Sequence, residues 1–122
     1  MAAEPKVEAR PKKWLTPVIL VLLQEENSYG YELMDRLEEE FGFEQINPSS
    51  VYRTLRLLEK EGLCESEWEI STQGGPSRRM YRITEAGETY LDAWADACEQ
   101  YQQVVDSFSR VYRNRTMSRS SE

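Results

Sequence analysis

The C-terminal third of the chain carries an apolar seam that calls for a partner. After Glu85, seven apolar residues follow one another at alternating spacings of three and four: Leu91, Trp94, Cys98, Tyr101, Val105, Phe108 and Tyr112. This heptad spacing places them on one side of a helix and is typical of helix pairing. We therefore expect a helix from Glu85 to about Tyr112 that pairs with the same helix of a second copy, giving a homodimer.

The residues before Glu85 have enough apolar pattern for a core of their own. Apolar residues recur at helical spacing in the ranges 14–23 and 29–41, which predicts two helices. A third helix is expected to begin at Asn47-Pro48 and to end at Gly62, because Asn and Pro suit helix starts and Gly suits a left-handed stop. A chain of 122 residues can form one such domain without disulfides.

Two strands are expected after the third helix. Residues 63–70 alternate, with Ser66, Trp68 and Ile70 on the side expected to be half-buried, and a second strand covers 79–84. Trp14 and Trp68 are expected in the core. The loop between the strands is rich in turn-forming residues and leads into Arg78, Arg79 and Arg82. These elements predict a mainly α fold with a small β-hairpin, namely a winged helix-turn-helix followed by a long C-terminal dimerisation helix.

This pattern also predicts the division of the chain. We expect a flexible head over residues 1–13, a winged helix-turn-helix over 14–84, a dimerisation helix over 85–112 and a disordered polar tail over 113–122.

The net charge of −7 conceals local basic patches. Segment 47–62 has net charge +1 and segment 73–84 has +3. Because charges are screened beyond about 8 Å at physiological salt, an approaching polyanion responds to these patches and little to the remainder. The cationic and polar side chains of the third helix and the hairpin suit phosphates and base edges of double-stranded DNA. The expected DNA-contacting residues are Ser49, Tyr52, Arg53, Arg56, Lys60, Arg78 and Arg79.

Other interpretations of these residues remain open. The basic face of the third helix is alternatively only a solvated surface, and Tyr52 alternatively packs in part against the core. A winged-helix module that binds protein without binding DNA uses the same fold and needs no cations on its third helix.

Catalytic, metal and membrane functions are disfavoured. The chain has no histidine, and its two cysteines, Cys64 and Cys98, lie 34 positions apart, so we predict no catalytic residues, metal site or cofactor. The longest apolar run, from Leu15 to Leu23, is too short to span a bilayer. We expect a cytoplasmic, non-enzymatic protein with reduced thiols and no membrane partner.

Four segments together resemble PadR-type transcriptional regulators. They are YGYEL at 29–33, NPSSVYRTL at 47–55, LEKEGL at 58–63 and RMYRITEAG at 79–87. The single C-terminal helix is similar to the short subfamily that includes multidrug-sensing repressors. The resemblance implies a dimeric repressor that binds a palindromic operator through its recognition helix and wing and is released by a small molecule.

The resemblance also implies a place for that molecule. In several such regulators a tryptophan of the last helix stacks on flat apolar ligands between the subunits; the matching position here is Cys98, and Trp94 lies one turn earlier. Trp94 is therefore either a packing residue of the seam or a platform for a planar effector. Cys98 is either a small apolar seam residue or a redox sensor. The seam residues considered for a ligand are Trp94, Cys98, Tyr101, Val105 and Phe108.

Overall fold

A computed structural model describes residues 14–70 and 74–120. Its elements in chain order are α1 (Leu15–Glu25), β1 (Ser28–Tyr29), α2 (Gly30–Phe41), α3 (Pro48–Lys60), β2 (Cys64–Glu69), β3 (Arg78–Ile83) and α4 (Glu85–Ser120). The chain divides into two compact units, one ending at Glu88 and the other beginning at Thr89. The mainly helical fold with a small sheet confirms the predicted class, and the predicted head at 1–13 lies outside the described residues.

The core of the first unit comes from the apolar faces of its three helices. Each helix contributes side chains that are fully shielded from solvent: Ile19, Leu20, Leu33, Leu37, Val51 and Leu55. Burial at these positions follows the three-to-four spacing of each helix, as the sequence predicts. By contrast, Phe41 at the end of the α2 stripe is 41% exposed.

Arg36 joins α1 to α2. Its Nη2 donates to the Leu22 carbonyl oxygen at 2.8 Å and lies 3.3 Å from a carboxylate oxygen of Glu25. The last carbonyls of a helix have no partner within the helix, and a cation is favoured beside them. Arg36 thus fixes α2 against the C-terminal turn of α1.

The sheet has three antiparallel strands in the order β1-β3-β2. The predicted hairpin pairs Cys64 with Ile83 at its root and Glu69 with Arg78 at its far end. The strand β1 was not predicted, because its two residues are too few to show alternation.

Burial of the hairpin decreases away from its root, and this corrects one expectation. Cys64 is buried, whereas Trp68 is 61% exposed and Ile70 is 82% exposed. The prediction that Trp68 belongs to the core is wrong, since this residue lies near the far end of the hairpin and is largely exposed. Trp14 is half-buried.

Helix α4 starts as the sequence predicts but ends later. The Thr84 Oγ1 accepts from the Gly87 N–H at 3.1 Å, which satisfies a free donor of the first turn. The helix then continues to Ser120, so the predicted end near Tyr112 and the predicted disorder of the tail are wrong for residues 113–120. No Pro or Gly follows Gly87, and the arginines of this stretch favour a helix.

Candidate nucleic-acid interface

Helix α3 is firmly anchored, so its outer face is presented in a fixed orientation. The Asn47 Oδ1 accepts from the Ser49 backbone N–H at 2.9 Å, and Pro48 occupies the first turn, as predicted. Val51, Leu55 and Leu58 are buried beneath the helix. Gly62, with φ of 76°, follows the helix in the left-handed conformation expected there.

The cations of α3 lie on its exposed face without acidic partners. Arg53, Arg56 and Lys60 are all exposed, as is Ser49 in the first turn. Within residues 14–70 and 74–120, no carboxylate lies within ion-pair distance of these three cations. Their full charge is therefore available to an anionic partner.

Tyr52 lies at the edge of this face, over the start of α2. A Cβ built on Gly30 would lie 2.5 Å from the Tyr52 Cε1, so the ring rests directly on the Gly30 backbone. The Tyr52 residue is nevertheless 39% exposed. Both interpretations of Tyr52 thus find support, since its ring packs on one side and faces solvent on the other.

Arg78 of the hairpin is held by two tyrosines at the β1–α2 junction. Its Nη1 donates to the Tyr31 hydroxyl at 3.0 Å, and its guanidinium carbon lies 4.3 Å from the centroid of the Tyr29 ring. The two tyrosine rings stack with centroids 5.6 Å apart. The Tyr29 hydroxyl donates to Glu69, and this hydrogen bond raises the pKa of Tyr29.

Arg82 is paired with two carboxylates of β2. Its Nε donates to a Glu65 carboxylate oxygen at 2.8 Å, and its Nη1 lies 3.4 Å from Glu67. The hydrogen bond to Glu65 raises the pKa of Arg82. The net charge of +3 in segment 73–84 therefore overstates the positive charge of the hairpin.

Arg79 lies on the opposite face of the hairpin, the face that carries Trp68. The Arg79 guanidinium carbon is 5.0 Å from the centroid of the Trp68 ring, and its Nη1 is 3.9 Å from a Glu59 carboxylate oxygen. Glu59 belongs to the last turn of α3. Arg79 is thus the hairpin cation directed toward α3.

The α3 face and the hairpin border a common cleft of about 360 Å³. The start of α2, α3 and β3 all contribute to its lining, which includes Tyr31, Tyr52, Arg56, Trp68 and Arg78. The predicted residues Tyr52, Arg56, Arg78 and Arg79 are brought together here, while Ser49, Arg53 and Lys60 are not among the lining residues.

The sequence analysis missed four aromatic residues of this cleft, Tyr29, Tyr31, Trp68 and Tyr81, and the contact of Glu59 with Arg79. The Tyr-Gly-Tyr sequence at 29–31 is a usable signal, because two aromatic residues flank a glycine at a helix start. The contact between Glu59 and Arg79 has no sequence signal, since 20 positions separate the two residues.

In the second unit, the predicted seam of α4 is largely exposed beyond Cys98. Tyr101, Phe108 and Tyr112 are 58%, 69% and 62% exposed, and the Phe108 and Tyr112 rings stack with centroids 6.3 Å apart. Val104 and Val111, which the predicted seam omitted, are also exposed. An exposed apolar stripe of this kind is typical of interaction surfaces.

A shallow apolar depression lies near the start of the second unit. It has a volume of about 290 Å³ and is lined by Tyr90, Ala93, Trp94 and Ala97. Cys98, the position suggested by resemblance, is not among its lining residues. Trp94 is half-buried.

The described residues hold no group of three or more His, Cys, Asp or Glu side chains arranged to bind a metal ion. Both thiols are free, and burial raises the pKa of the Cys64 thiol to about 12. That shift makes Cys64 a poor nucleophile near neutral pH. The described helices include none with the length and apolar character needed to cross a membrane.

Three helices, a small antiparallel sheet and a long terminal helix, with a basic face on the third helix, define the class of winged-helix regulators. Within that class, residues 19–93 match the transcriptional regulator PadR-like family. The chain belongs to this family, as its sequence motifs suggested. It is a transcriptional regulator and not an enzyme.

Relatives and solved structures agree with this assignment. A probable transcriptional regulator of Mycobacterium tuberculosis is 33% identical over 66% of this chain and 42% of its own length, so the match spans less than half of that relative. A PadR-like regulator from Bacillus cereus superposes with a TM-score of 0.67 at 31% identity, covering 77% of this chain and 89% of that one. Bacillus subtilis PadR in complex with operator DNA has a TM-score of 0.62 at 29% identity, covering 70% and 48%.

Proposed function

We propose that this protein is a repressor that binds a palindromic operator as a homodimer, with α3 in the major groove. The observation that carries the proposal is the face of α3, where Arg53, Arg56 and Lys60 are exposed and no described carboxylate pairs with them. Such cations bind phosphates, and an arginine reads guanine through two hydrogen bonds. The similarity to a regulator solved with operator DNA supports the same function. A module that binds only protein would not need this face.

The salt dependence of DNA binding tests this proposal. Each phosphate contact contributes about −0.9 to the slope of log affinity against log salt, and Arg53, Arg56, Lys60, Arg78 and Arg79 offer up to ten contacts per dimer. Because some cations read bases or remain on their protein partners, we expect a slope of about −4 to −8. The measurement is fluorescence anisotropy with a duplex from upstream of the protein's own gene and a mixed-sequence duplex as reference.

A matched pair of variants makes the test specific to α3. Arg56→Gln removes one cation from the α3 face and should make the slope less steep, whereas Arg110→Gln removes one cation from α4 and should leave it unchanged. A wild-type slope near zero on both duplexes would rule out binding driven by the DNA backbone.

Dimerisation through α4 is the second part of the proposal. The exposed stripe formed by Tyr101, Val105, Phe108 and Tyr112 supports it, because burying these rings and side chains between two copies removes apolar surface from water. A twofold pair also presents two α3 helices to the two halves of a palindromic site.

The third part is control by a small molecule. The apolar depression beside Trp94 supports binding of a flat apolar compound, since an aromatic ring can stack on the indole. Such a compound releases DNA only if it binds more tightly to the dimer state that cannot bind DNA; a hundredfold preference corresponds to about 2.7 kcal/mol of coupling.

Titration of planar aromatic compounds tests this third part. Tryptophan fluorescence should be quenched in the wild type and in a Trp14→Phe/Trp68→Phe variant, which keeps Trp94 alone. The DNA affinity of the wild type should fall over the same concentrations of the compound. If quenching persists in Trp94→Ala, the compound binds elsewhere and Trp94 is only a packing residue.

A further inference from the structure

The contact between α3 and the hairpin centres on Glu59. The Ser66 hydroxyl donates to the Glu59 Oε1 at 2.5 Å, and the Arg79 Nη1 lies 3.9 Å from the Glu59 Oε2. Ser66 lies on β2 and Arg79 lies on β3, so one carboxylate of the recognition helix contacts both strands. The Glu59 side chain is 30% exposed, which limits the competition of water for these contacts.

Trp68 completes the cluster on the strand opposite Arg79. The two residues are direct partners in the β2–β3 register, and the guanidinium lies over the indole. The Arg79 Nε is buried and has no hydrogen-bond partner within the described chain. A guanidinium held in this way gains attraction to both the indole ring and the carboxylate.

Arg79 therefore differs from the cations of α3. Arg53 and Arg56 are exposed and without acidic partners in the part of the chain that the structure describes, whereas Arg79 is half-buried between an indole and a carboxylate. A phosphate would compete with both partners for Arg79, and movement of Arg79 toward it would weaken the contact with Glu59. The counterion release expected from a free arginine would then be offset by these losses.

We propose that Glu59, Ser66, Trp68 and Arg79 form a clip that fixes the hairpin against α3, and that Arg79 is a positioning residue and not a phosphate contact. The effect of the clip on DNA binding rests on the proposed function, whereas its effect on the hairpin does not. Of these four residues, Glu59 lies on α3 and the other three lie on the hairpin strands, so Glu59 provides the attachment to α3.

Hydrogen exchange without DNA tests the clip by itself. In Arg79→Gln the backbone amides of β2 and β3 should exchange at least about fivefold faster than in the wild type, because the hairpin loses its attachment to α3. Arg53→Gln removes the same charge from the exposed face of α3, outside the cleft shared with the hairpin, and should leave hairpin exchange unchanged. Equal exchange in Arg79→Gln and wild type would overturn the clip, whatever the protein does with DNA.

Salt-dependent binding to the mixed-sequence duplex tests the positioning role. Arg79→Gln should weaken binding about fivefold to twentyfold with little change in slope, whereas loss of a phosphate contact in both copies of a dimer makes the slope less steep by about 1.8. Arg79→Lys keeps the charge but not the planar group that stacks on Trp68, so its hairpin exchange should lie between those of the wild type and Arg79→Gln.

Glu59→Gln separates the clip from a competing explanation. If Glu59 merely withholds Arg79 from DNA, its neutralisation should tighten binding and steepen the slope. The clip predicts faster hairpin exchange and an unchanged slope. A slope less steep by about 1.8 in Arg79→Gln, or a steeper slope in Glu59→Gln that is lost in Glu59→Gln/Arg79→Gln, would show that Arg79 contacts phosphate. Absence of any salt-dependent binding in the wild type would refute the proposed function, and the exchange data would still decide the clip.

Discussion

Replacing Tyr101 and Phe108 with glutamate should abolish the proposed dimer. Both side chains lie on the exposed stripe of α4, where Tyr101 is 58% exposed and Phe108 is 69% exposed. Pairing of two copies would bury the exposed part of each ring, and the glutamates would instead place two carboxylates per copy in an apolar contact.

The exposed fractions set the size of the effect. Full burial of a large apolar side chain contributes about 1.5–3 kcal/mol, so the part of each ring that remains exposed corresponds to about 1–2 kcal/mol. Four rings per dimer then contribute about 4–8 kcal/mol. Since about 1.4 kcal/mol changes a dissociation constant tenfold, the double variant should weaken the dimer by about a thousandfold or more, before the cost of burying carboxylates is included.

Sedimentation velocity over a range of protein concentrations measures this change. A control, Gln103→Glu/Arg110→Gln, alters the net charge by the same amount on the other side of α4 and should remain dimeric. Circular dichroism distinguishes loss of pairing from loss of the helix. An unaltered dimer in Tyr101→Glu/Phe108→Glu would refute the assignment of the seam to dimerisation.

Three further results are expected. Arg53→Ala or Arg56→Ala should relax base preference at one position per half-site by about 1–3 kcal/mol if the arginine binds guanine through two hydrogen bonds, measured by competition between single-base operator variants. Gly30→Ala should weaken DNA binding as much as Tyr52→Ala while the fold persists, because the new Cβ would displace the Tyr52 ring. If Gly30→Ala binds DNA with wild-type affinity, the position of the Tyr52 ring has no role in binding. The pKa of Cys64 is raised to about 12, so the folded state favours the neutral thiol and the stabilising effect of Cys64 should decrease as pH rises from about 9 to about 12. Urea unfolding should show that the difference in the free energy of unfolding between wild type and Cys64→Ala becomes smaller over that pH range. A difference that stays constant would contradict this prediction.

Helix α3 could be predicted because its signals are local. Asn47 and Pro48 begin it, Gly62 follows its end, and the spacing of Val51 and Leu55 fixes which face is buried. Once the buried face is known, the direction of Arg53 follows from helix geometry alone. The expectation of a disordered tail after Tyr112 was wrong for residues 113–120, which continue α4. It rested on their polar composition, although this segment contains no Pro or Gly to end a helix.

The partners of the hairpin arginines could not be predicted from local sequence. Arg78 bonds to Tyr31, which lies 47 positions earlier, and Arg82 pairs with Glu65 across the sheet. A sum of charges over a segment treats each arginine as free, whereas the strand register determines which carboxylate it meets. The exposure of Trp68 could not be predicted from local sequence either. Alternation identifies which face of the strand a residue is on, but not how far the neighbouring helices extend over that face.

Because of these contacts, α3 and the hairpin differ in the positive charge that they offer to DNA. The hairpin strands carry three arginines and also Glu65, Glu67 and Glu69, so their formal charges cancel. On α2, Glu38, Glu39 and Glu40 are exposed, and this acidic surface would repel a polyanion. Since the unpaired positive charge of the described first unit is concentrated on α3, attraction and repulsion both favour an approach in which α3 meets the DNA. A strongly acidic chain can therefore be a DNA-binding protein, because its negative charge excludes the wrong orientations while a few unpaired arginines fix the right one.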